Sequence, residues 1–238
     1  MQTVTHIIKV NDEIKIKDRI MNKKFKAFTL AETLVTLMII GVIAAITIPT
    51  LKENSDKDAN IALLKKANST AGNMFADLRA KYGPAPYWTY NNQRVFQTGQ
   101  DATARALYST SLSLAGNSLP AGYSAMNLKG EALGQSTEIN GTKTDFTKPL
   151  ITADGMMWFP SQGHANCSGT NKRCGLLAVD VNGAKKPNRM GVDIFVFNIT
   201  PDGVVALDVD DCNNLSGAGY GCAKKLLVDP DALNFIYE

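Results

Sequence analysis

The first long hydrophobic segment of the chain runs from Phe28 to Ile48, and Glu32 is the only charged residue within these 21 positions. At a rise of about 1.5 Å per residue, such a helix spans roughly 31 Å, close to the roughly 30 Å hydrocarbon core of a bilayer. Three lysines lie within the five residues before it, with no acidic residue among them. Because basic residues favour the cytoplasmic side, the pattern predicts one transmembrane helix with a cytoplasmic N-terminal flank.

A second hydrophobic pattern follows Pro49, where the chain becomes polar but keeps a helical period. Pro49 removes one backbone donor and is expected to kink the helix without ending it, whereas Gly83-Pro84 predicts its end. An amphipathic helix lying on the membrane would use the same apolar stripe, but we expect the stripe to pack in a core. Its members recur at spacings of three and four: Ile61, Leu64, Ala67, Ala71, Met74, Phe75 and Leu78.

The C-terminal half has short apolar runs separated by Asp-Gly and Asn-Gly, which are typical of β-hairpins. We expect four strands, at 155–159, 175–181, 193–199 and 204–209. The third is apolar on both faces, which suits a strand covered by the helix. Residues 83–150 carry less pattern, with a short helix expected around 101–114 and polar loops or short strands at 136–147. The aromatic cluster Tyr87, Trp88 and Tyr90 predicts a satellite core patch, with a sugar-binding platform as the alternative.

Glu32 is unusual in a membrane helix, because a carboxylate there costs roughly 2.5–3.5 kcal/mol and normally has a partner. No Lys or Arg occurs between Phe28 and Thr50. The expected partner is therefore a free amine, a neighbouring subunit or a lipid head group. A cut between Ala27 and Phe28 would create an α-amino group four residues before Glu32, and the amine of an adjacent copy could neutralise the carboxylate.

The segment Ala27-Phe28-Thr29-Leu30-Ala31-Glu32-Thr33-Leu34 resembles the processing site of type IV pilins and of the pseudopilins of type II secretion systems. That family has a short basic leader, a cut before Phe, Glu as the fifth residue of the mature chain and an apolar helix with a Pro farther along, here Pro49. One position departs from the pattern, since the residue before the cut is usually Gly and here is Ala27. The alternative interpretation of this segment is an uncleaved signal anchor.

The resemblance implies an α+β fold, with a long N-terminal helix whose outer half packs on a C-terminal antiparallel β-sheet. It implies a structural subunit of a type IV pilus-like or type II secretion pseudopilus filament, with Glu32 pairing with the N-terminal amine of another copy or another (pseudo)pilin. The implied partners are prepilin peptidase, which cuts and methylates the chain, an inner-membrane assembly platform and membrane lipid. The implied location is the inner membrane, with a single pass, and then a periplasmic or extracellular filament. The sequence does not decide between pilus and pseudopilus.

The expected organisation is a leader at 1–27, a transmembrane and polymerisation helix at 28–48, its amphipathic half at 49–82, a variable connection at 83–150, and a sheet with disulfide-closed loops at 151–238. Met21 could be the true start, because 21–27 alone would make a complete short leader. Removing the leader leaves 18 Lys and Arg against 19 Asp and Glu. A chain so nearly neutral gives little support for nucleic-acid binding through a broad basic face.

All four cysteines lie in the region expected outside the membrane, where disulfides are the default. Three pairings are open to them, and we favour Cys167 with Cys174 and Cys212 with Cys222, each closing a short loop. The resemblance supports the second pair, since pilins commonly close a C-terminal loop with a disulfide. A four-cysteine zinc site would need tighter spacing.

Asp180, Asn182, Asn188 and Asp193 could supply oxygen ligands to a calcium ion, although their spacing lacks the full EF-hand pattern. The resemblance agrees with this hypothesis, since some pseudopilins bind calcium in their C-terminal region. Turn chemistry explains Asp180-Val181-Asn182-Gly183 equally well, because Asx side chains bond to the backbone and Gly accepts positive φ. The acidic cluster of Asp208, Asp210 and Asp211 indicates a solvated strand end.

Nothing in the sequence points to catalysis. The chain has two histidines and no GxSxG, Walker A or HExxH motif, so we expect it not to be an enzyme. The alternative to a filament subunit is a non-polymerising, membrane-anchored module whose external domain binds carbohydrate or secreted cargo.

Overall fold

The computed structural model describes residues 28–96, 101–161, 163, 167 and 173–236. The predicted leader, including Ala27, lies outside these residues. The chain divides into two compact units, one ending at Leu51 and the other beginning at Lys52. The fold is α+β as predicted, with an N-terminal apolar helix and a C-terminal antiparallel sheet.

The described helices are α1 (Leu30–Tyr82), α2 (Asp101–Tyr108) and α3 (Cys222–Val228), with 3₁₀ turns at Ala85–Tyr87 and Asn234–Ile236. The described strands are β1 (Thr89–Tyr90), β2 (Gln93–Arg94), β3 (Leu114–Gly116), β4 (Thr137–Ile139), β5 (Thr142–Thr144), β6 (Leu150–Thr152), β7 (Met157–Pro160), β8 (Gly175–Asp180), β9 (Ile194–Ile199) and β10 (Val204–Ala206). Helix α1 continues through Pro49, and the kink expected there stays a prediction.

The main sheet has six strands in the order β10-β9-β8-β7-β6-β3, and all neighbouring pairs are antiparallel. Strands β8 and β9 pair over their full length, from Gly175 opposite Ile199 to Asp180 opposite Ile194. The loop between them therefore starts and ends at one edge of the core. We call residues 181–193 the β8–β9 loop.

One face of the sheet is covered by the outer part of α1. All seven residues of the predicted stripe are buried, each with no more than 5% of its surface exposed. They share one hydrophobic cluster with sheet residues such as Trp158 and Phe197. The stripe is thus a core face, and the prediction of core packing is confirmed. Burying side chains of this size stabilises a fold by about 1.5–3 kcal/mol for each large one.

The opposite face of the sheet is covered by connecting segments. Along β8, Leu177 and Val179 belong to the cluster with α1, whereas Leu176 and Ala178 belong to a second cluster with Phe146. Alternate residues of a strand point to opposite faces, so a strand buried on both sides is apolar throughout. The expectation that the helix covers one side of the apolar run at 193–199 is confirmed. In β9, Phe195 and Phe197 lie in the cluster with α1, whereas Ile194 and Val196 lie in the second cluster.

Several element boundaries differ from the prediction. The helix expected at 101–114 ends at Tyr108, and β3, from the expected connecting region, forms a sheet edge. The strand expected at 155–159 starts two residues later, because Asp154 and Gly155 form a turn closed by a hydrogen bond from Thr152 N to Met156 O. The strand expected at 204–209 ends at Ala206.

The aromatic cluster predicted as a satellite patch is divided between core and surface. Trp88 is buried in the main core, with its ring 5.2 Å from that of Phe75 and 5.6 Å from that of Phe96. Tyr87 is 69% exposed, and Tyr90 is half-buried against the core. The three rings therefore do not form one surface platform. The sugar-binding alternative is weakened, because the buried Trp88 is not accessible to a ligand.

A buried lysine holds the C-terminal segment on α1. Lys57 is 8% exposed, and its Nζ donates to Asp231 Oδ1 at 2.8 Å and to Asn234 Oδ1 at 2.6 Å. We expect Lys57→Met, which keeps an apolar stem, to lower the free energy of unfolding by about 1.5 kcal/mol. We expect a loss at the low end of the range for hydrogen bonds to charged groups, because Asp231 is exposed. Denaturant titration measures the change, and a loss below about 0.5 kcal/mol would contradict the role of this contact.

Candidate functional site

The first candidate site is the beginning of α1, where Glu32 lies in the first turn. Thr29 precedes the helix, and its Oγ1 accepts a hydrogen bond from Glu32 N at 3.2 Å. In return, Thr29 N donates to Glu32 Oε2 at 3.4 Å. This reciprocal pair is a capping box, in which two backbone donors of the first turn gain acceptors. The carboxylate also lies at the positive end of the helix dipole.

The capping box adds a partner that the sequence reasoning missed. We expected the partner of Glu32 to lie outside its own chain, yet the carboxylate already accepts one hydrogen bond from Thr29. The signal was present, because a Thr followed three residues later by Glu before an apolar run is the sequence pattern of a capping box. A backbone N–H does not neutralise a carboxylate, so the charge still lacks a basic partner between Phe28 and Thr50.

The part of α1 up to Ile48 is suited to an apolar medium. Residues Leu30–Ile48 form the one helix in the described part of the chain that is long and apolar enough to cross a membrane. Its large apolar side chains are exposed, among them Met38 at 72% and Ile46 at 70%. The threonine hydroxyls donate to carbonyl groups of the same helix, as in Thr33 Oγ1 to Leu30 O at 2.9 Å. Such bonds satisfy polar groups that lipid cannot.

Comparison with known proteins agrees with this geometry. The protein has an α+β fold, and its apolar N-terminal helix fits an inner-membrane anchor. Residues 22–48 match the family model described as the prokaryotic N-terminal methylation motif, which is the signature of type IV pilins and pseudopilins. The match includes Ala27, Phe28 and Glu32, the residues predicted for processing and assembly. No curated protein and no solved structure shows significant similarity to the chain.

The four cysteines form two disulfides with the pairing favoured from the sequence, Cys167 with Cys174 and Cys212 with Cys222. The zinc alternative is therefore wrong, since every cysteine is oxidised. The second bridge joins the segment after β10 to the first residue of α3, and both its cysteines are fully buried. It thus anchors α3, which the sequence reasoning did not predict, to the core.

The acidic cluster after β10 has two different parts. Asp208 and Asp210 are exposed and face Lys224 and Lys225, as a solvated strand end predicts. Asp211 instead points into the loop closed by the second disulfide. Its carboxylate accepts hydrogen bonds from Tyr220 N at 2.9 Å and Gly221 N at 2.7 Å. Asp211 therefore shapes that loop through backbone contacts.

The second candidate site is the β8–β9 loop, which brings together the residues proposed as calcium ligands. Asp180 directly precedes the loop, Asp193 is its last residue, and both are fully buried. Asp193 Oδ2 accepts from Asn188 N at 2.9 Å and from Asn182 Nδ2 at 3.3 Å, and Asp193 Oδ1 accepts from Arg189 N at 2.5 Å. Asp193 thus fixes the conformation of the loop by accepting hydrogen bonds from three loop residues.

Asp180 is less completely bonded. Its Oδ2 accepts a hydrogen bond from Tyr123 Oη at 2.9 Å, whereas its Oδ1 is buried without a partner. Asn182 Oδ1 is likewise buried without a partner. Burial raises the pKa of both Asp180 and Asp193, and the Asp193 charge raises the pKa of Asp180 further. The loop carries three basic residues: Lys185 pairs with Asp56, Arg189 donates to Leu128 O, and Lys186 is exposed.

Among the described residues there is no group of three or more His, Cys, Asp or Glu side chains that could hold a metal ion. A cation in the β8–β9 loop would therefore depend on two carboxylates together with amide and backbone carbonyl oxygens. Oxygen donors of this mixed kind are those that Ca²⁺ accepts, and they do not suit zinc.

Proposed function

We propose that this protein is a structural subunit of a type IV pilus-like or type II secretion pseudopilus filament. Prepilin peptidase would cut it between Ala27 and Phe28, and the mature chain would assemble through its N-terminal helix. The observation that carries the proposal is the match of residues 22–48, which include Phe28 and Glu32, to the N-terminal methylation motif.

The exposed apolar side chains of Leu30–Ile48 need a nonpolar environment both before and after processing. A bilayer supplies it before processing, and the helices of neighbouring copies would supply it in a filament. Glu32 distinguishes this helix from an ordinary anchor, because its charge has no basic partner in the segment. A neighbour's N-terminal amine would supply one, and pairing would then fix the axial position of each copy.

The C-terminal unit suits the outside of the cell. Its two disulfides require an oxidising compartment. We infer that the chain begins as an inner-membrane protein with a cytoplasmic N-terminus, in contact with lipid and an assembly platform. It then becomes part of a periplasmic or extracellular filament, next to copies of itself or other (pseudo)pilins. Proteins with this motif are structural rather than catalytic, so the protein is the substrate of the peptidase reaction.

Processing can be tested by co-expressing the full chain with a prepilin peptidase and measuring intact mass. The expected product begins at Phe28 whether translation starts at Met1 or Met21. Ala27→Gly is expected to be cut at least as well as the natural chain. Ala27→Leu is expected to be cut roughly tenfold less or worse, because a pocket for a small residue rejects a larger one.

Ala45→Leu, deep in the helix, is the matched control and should be processed like the natural chain. A product that starts elsewhere, or equal processing of the Ala27→Leu variant, would contradict the assigned cut. Absence of any processing would favour the alternative of a non-polymerising anchored module that binds carbohydrate or cargo.

A further inference from the structure

A cleft opens in the unit that begins at Lys52, between helix α1, the segment that joins α2 to β3, and the turn between β6 and β7. Its volume is about 450 Å³, which lies in the range of sites that hold small molecules. Ala153 N in the turn donates to Ser113 O in the joining segment at 2.9 Å. A backbone hydrogen bond therefore joins two of the three walls, and the cleft is part of the folded unit.

The cleft has an apolar floor and a polar rim. Met74 and Leu112 line it, and they are only 3% and 7% exposed because most of each side chain lies in the main core. Apart from these two and Ala153, all the lining side chains carry hydroxyl, amide or carboxylate groups. A ligand that fits must therefore present an apolar face to the floor and hydrogen-bonding groups at its edge.

The two carboxylates of the cleft each have a lysine partner. Asp77 Oδ2 lies 2.7 Å from Lys81 Nζ, and Asp154 Oδ2 lies 2.8 Å from Lys66 Nζ. The hydrogen bonds that Asp77 accepts from Lys81 and Ser111 lower the pKa of its carboxyl group, so this group is ionised at neutral pH. A cationic ligand would have to displace the lysines, and an anionic ligand would meet two carboxylates. The cleft is therefore suited to a neutral ligand.

Asn73 and Asp77 are the polar residues best placed to hold such a ligand. They lie four residues apart on α1, so their side chains are neighbours on one face of the helix. Both described side-chain contacts of Asp77 use Oδ2, which leaves Oδ1 as an acceptor. Asn73 is exposed, and its amide offers both donors and an acceptor. A carboxylate beside an amide can hold two adjacent hydroxyl groups, one as a donor and the other as an acceptor.

We propose that this cleft binds a neutral carbohydrate. One hydroxyl group of a sugar ring donates to Asp77 Oδ1, and the adjacent hydroxyl group accepts from the Asn73 amide. The C–H face of the same ring packs on Met74 and Leu112. A hydroxyl group that donates to a carboxylate forms a charge-assisted hydrogen bond, which is stronger than a neutral one. Carbohydrate binding goes beyond the filament role and does not depend on it, because every lining residue belongs to the unit that begins at Lys52.

The test uses the full chain with intact disulfides, in a detergent without a sugar head group so that the detergent does not compete. Isothermal titration calorimetry measures the binding of two probes. One is an oligosaccharide of N-acetylated amino sugars, which has the chemistry of a cell-wall glycan, and the other is an oligosaccharide of neutral hexoses. At least one probe is expected to bind, and the tighter of the two identifies the class of glycan. A peptide of glycine and serine of similar length is the comparison for a polypeptide ligand.

Asp77→Asn is expected to weaken binding roughly tenfold or more, because it removes a hydrogen bond to a charged group, and Asn73→Ala should weaken it about fivefold. The melting temperatures of both variants should change little, since neither side chain is buried. Asp58→Asn, which changes an exposed carboxylate elsewhere on α1, is the matched control and should bind like the natural chain. The proposal is overturned if neither oligosaccharide binds, if only the peptide binds, or if Asp77→Asn and Asn73→Ala both bind like the natural chain.

Discussion

Replacing Glu32 with Ala is expected to leave the protein inserted and its C-terminal unit folded, and to reduce filament assembly by two orders of magnitude or more. The reason is that the amine with which Glu32 would pair is left without a carboxylate. In an assembled filament the N-terminal amine of one copy would lose its carboxylate in a medium that excludes water. Leaving one member of a buried charge pair alone costs roughly 3–5 kcal/mol. Quantifying subunits in sheared surface filaments, against the amount in membranes, measures the effect.

Two matched variants separate charge pairing from helix capping. Glu32→Gln keeps a side chain that can complete the capping box but removes the charge, so it should assemble as poorly as the Ala variant. Thr29→Ala removes the hydroxyl that accepts Glu32 N but keeps the carboxylate, so it should lose only about 1 kcal/mol of helix stability and assemble nearly normally. Normal filament numbers with Glu32→Gln, together with loss in Thr29→Ala, would show that capping is the important role.

Removing the disulfide between Cys212 and Cys222 is expected to lower the free energy of unfolding of the C-terminal unit by about 3 kcal/mol. The bridge spans ten residues and holds the start of α3, whose Ala223 and Leu226 are buried in the core. Without it, the intervening loop gains freedom in the unfolded chain, and α3 loses its covalent attachment. Denaturant unfolding of Cys212→Ser/Cys222→Ser in detergent, followed by tryptophan fluorescence, tests this.

Cys212→Ala/Cys222→Ala is the control for the buried hydroxyl groups that serine introduces. It should lose nearly as much stability as the serine pair, because the missing covalent link is common to both. A loss below about 1 kcal/mol in the alanine pair would mean that packing alone holds α3 in place.

Local patterns predicted the parts of the fold that depend on long, regular periodicity. The stripe from Ile61 to Leu78 recurs over five turns, and its burial follows from spacing alone. Strands β8 and β9 are continuous apolar runs bounded by turn signals, so both strands and their pairing could be predicted from the sequence. The cut site and Glu32 were recognisable because they form a motif of fixed spacing.

The missed elements are short and depend on partners far away in sequence. Strand β3 has three residues and a register shift between Leu114 and Gly116, which hides any alternation. Helix α3 has seven residues, too few for a reliable period, and is held by its disulfide. Asp180 was named as a turn residue and a candidate calcium ligand, but nothing local indicates that it is completely buried and bonded to Tyr123.

The central claim is that the chain is cut before Phe28 and exported into a filament. The most direct test is the N-terminal sequence and intact mass of the protein from sheared surface material and, separately, from membranes. The account predicts a chain that starts at N-methylated Phe28 in the sheared fraction. A protein found only in membranes, with its leader intact, would contradict it and would mean that Ala27 prevents processing and the helix serves as a permanent anchor.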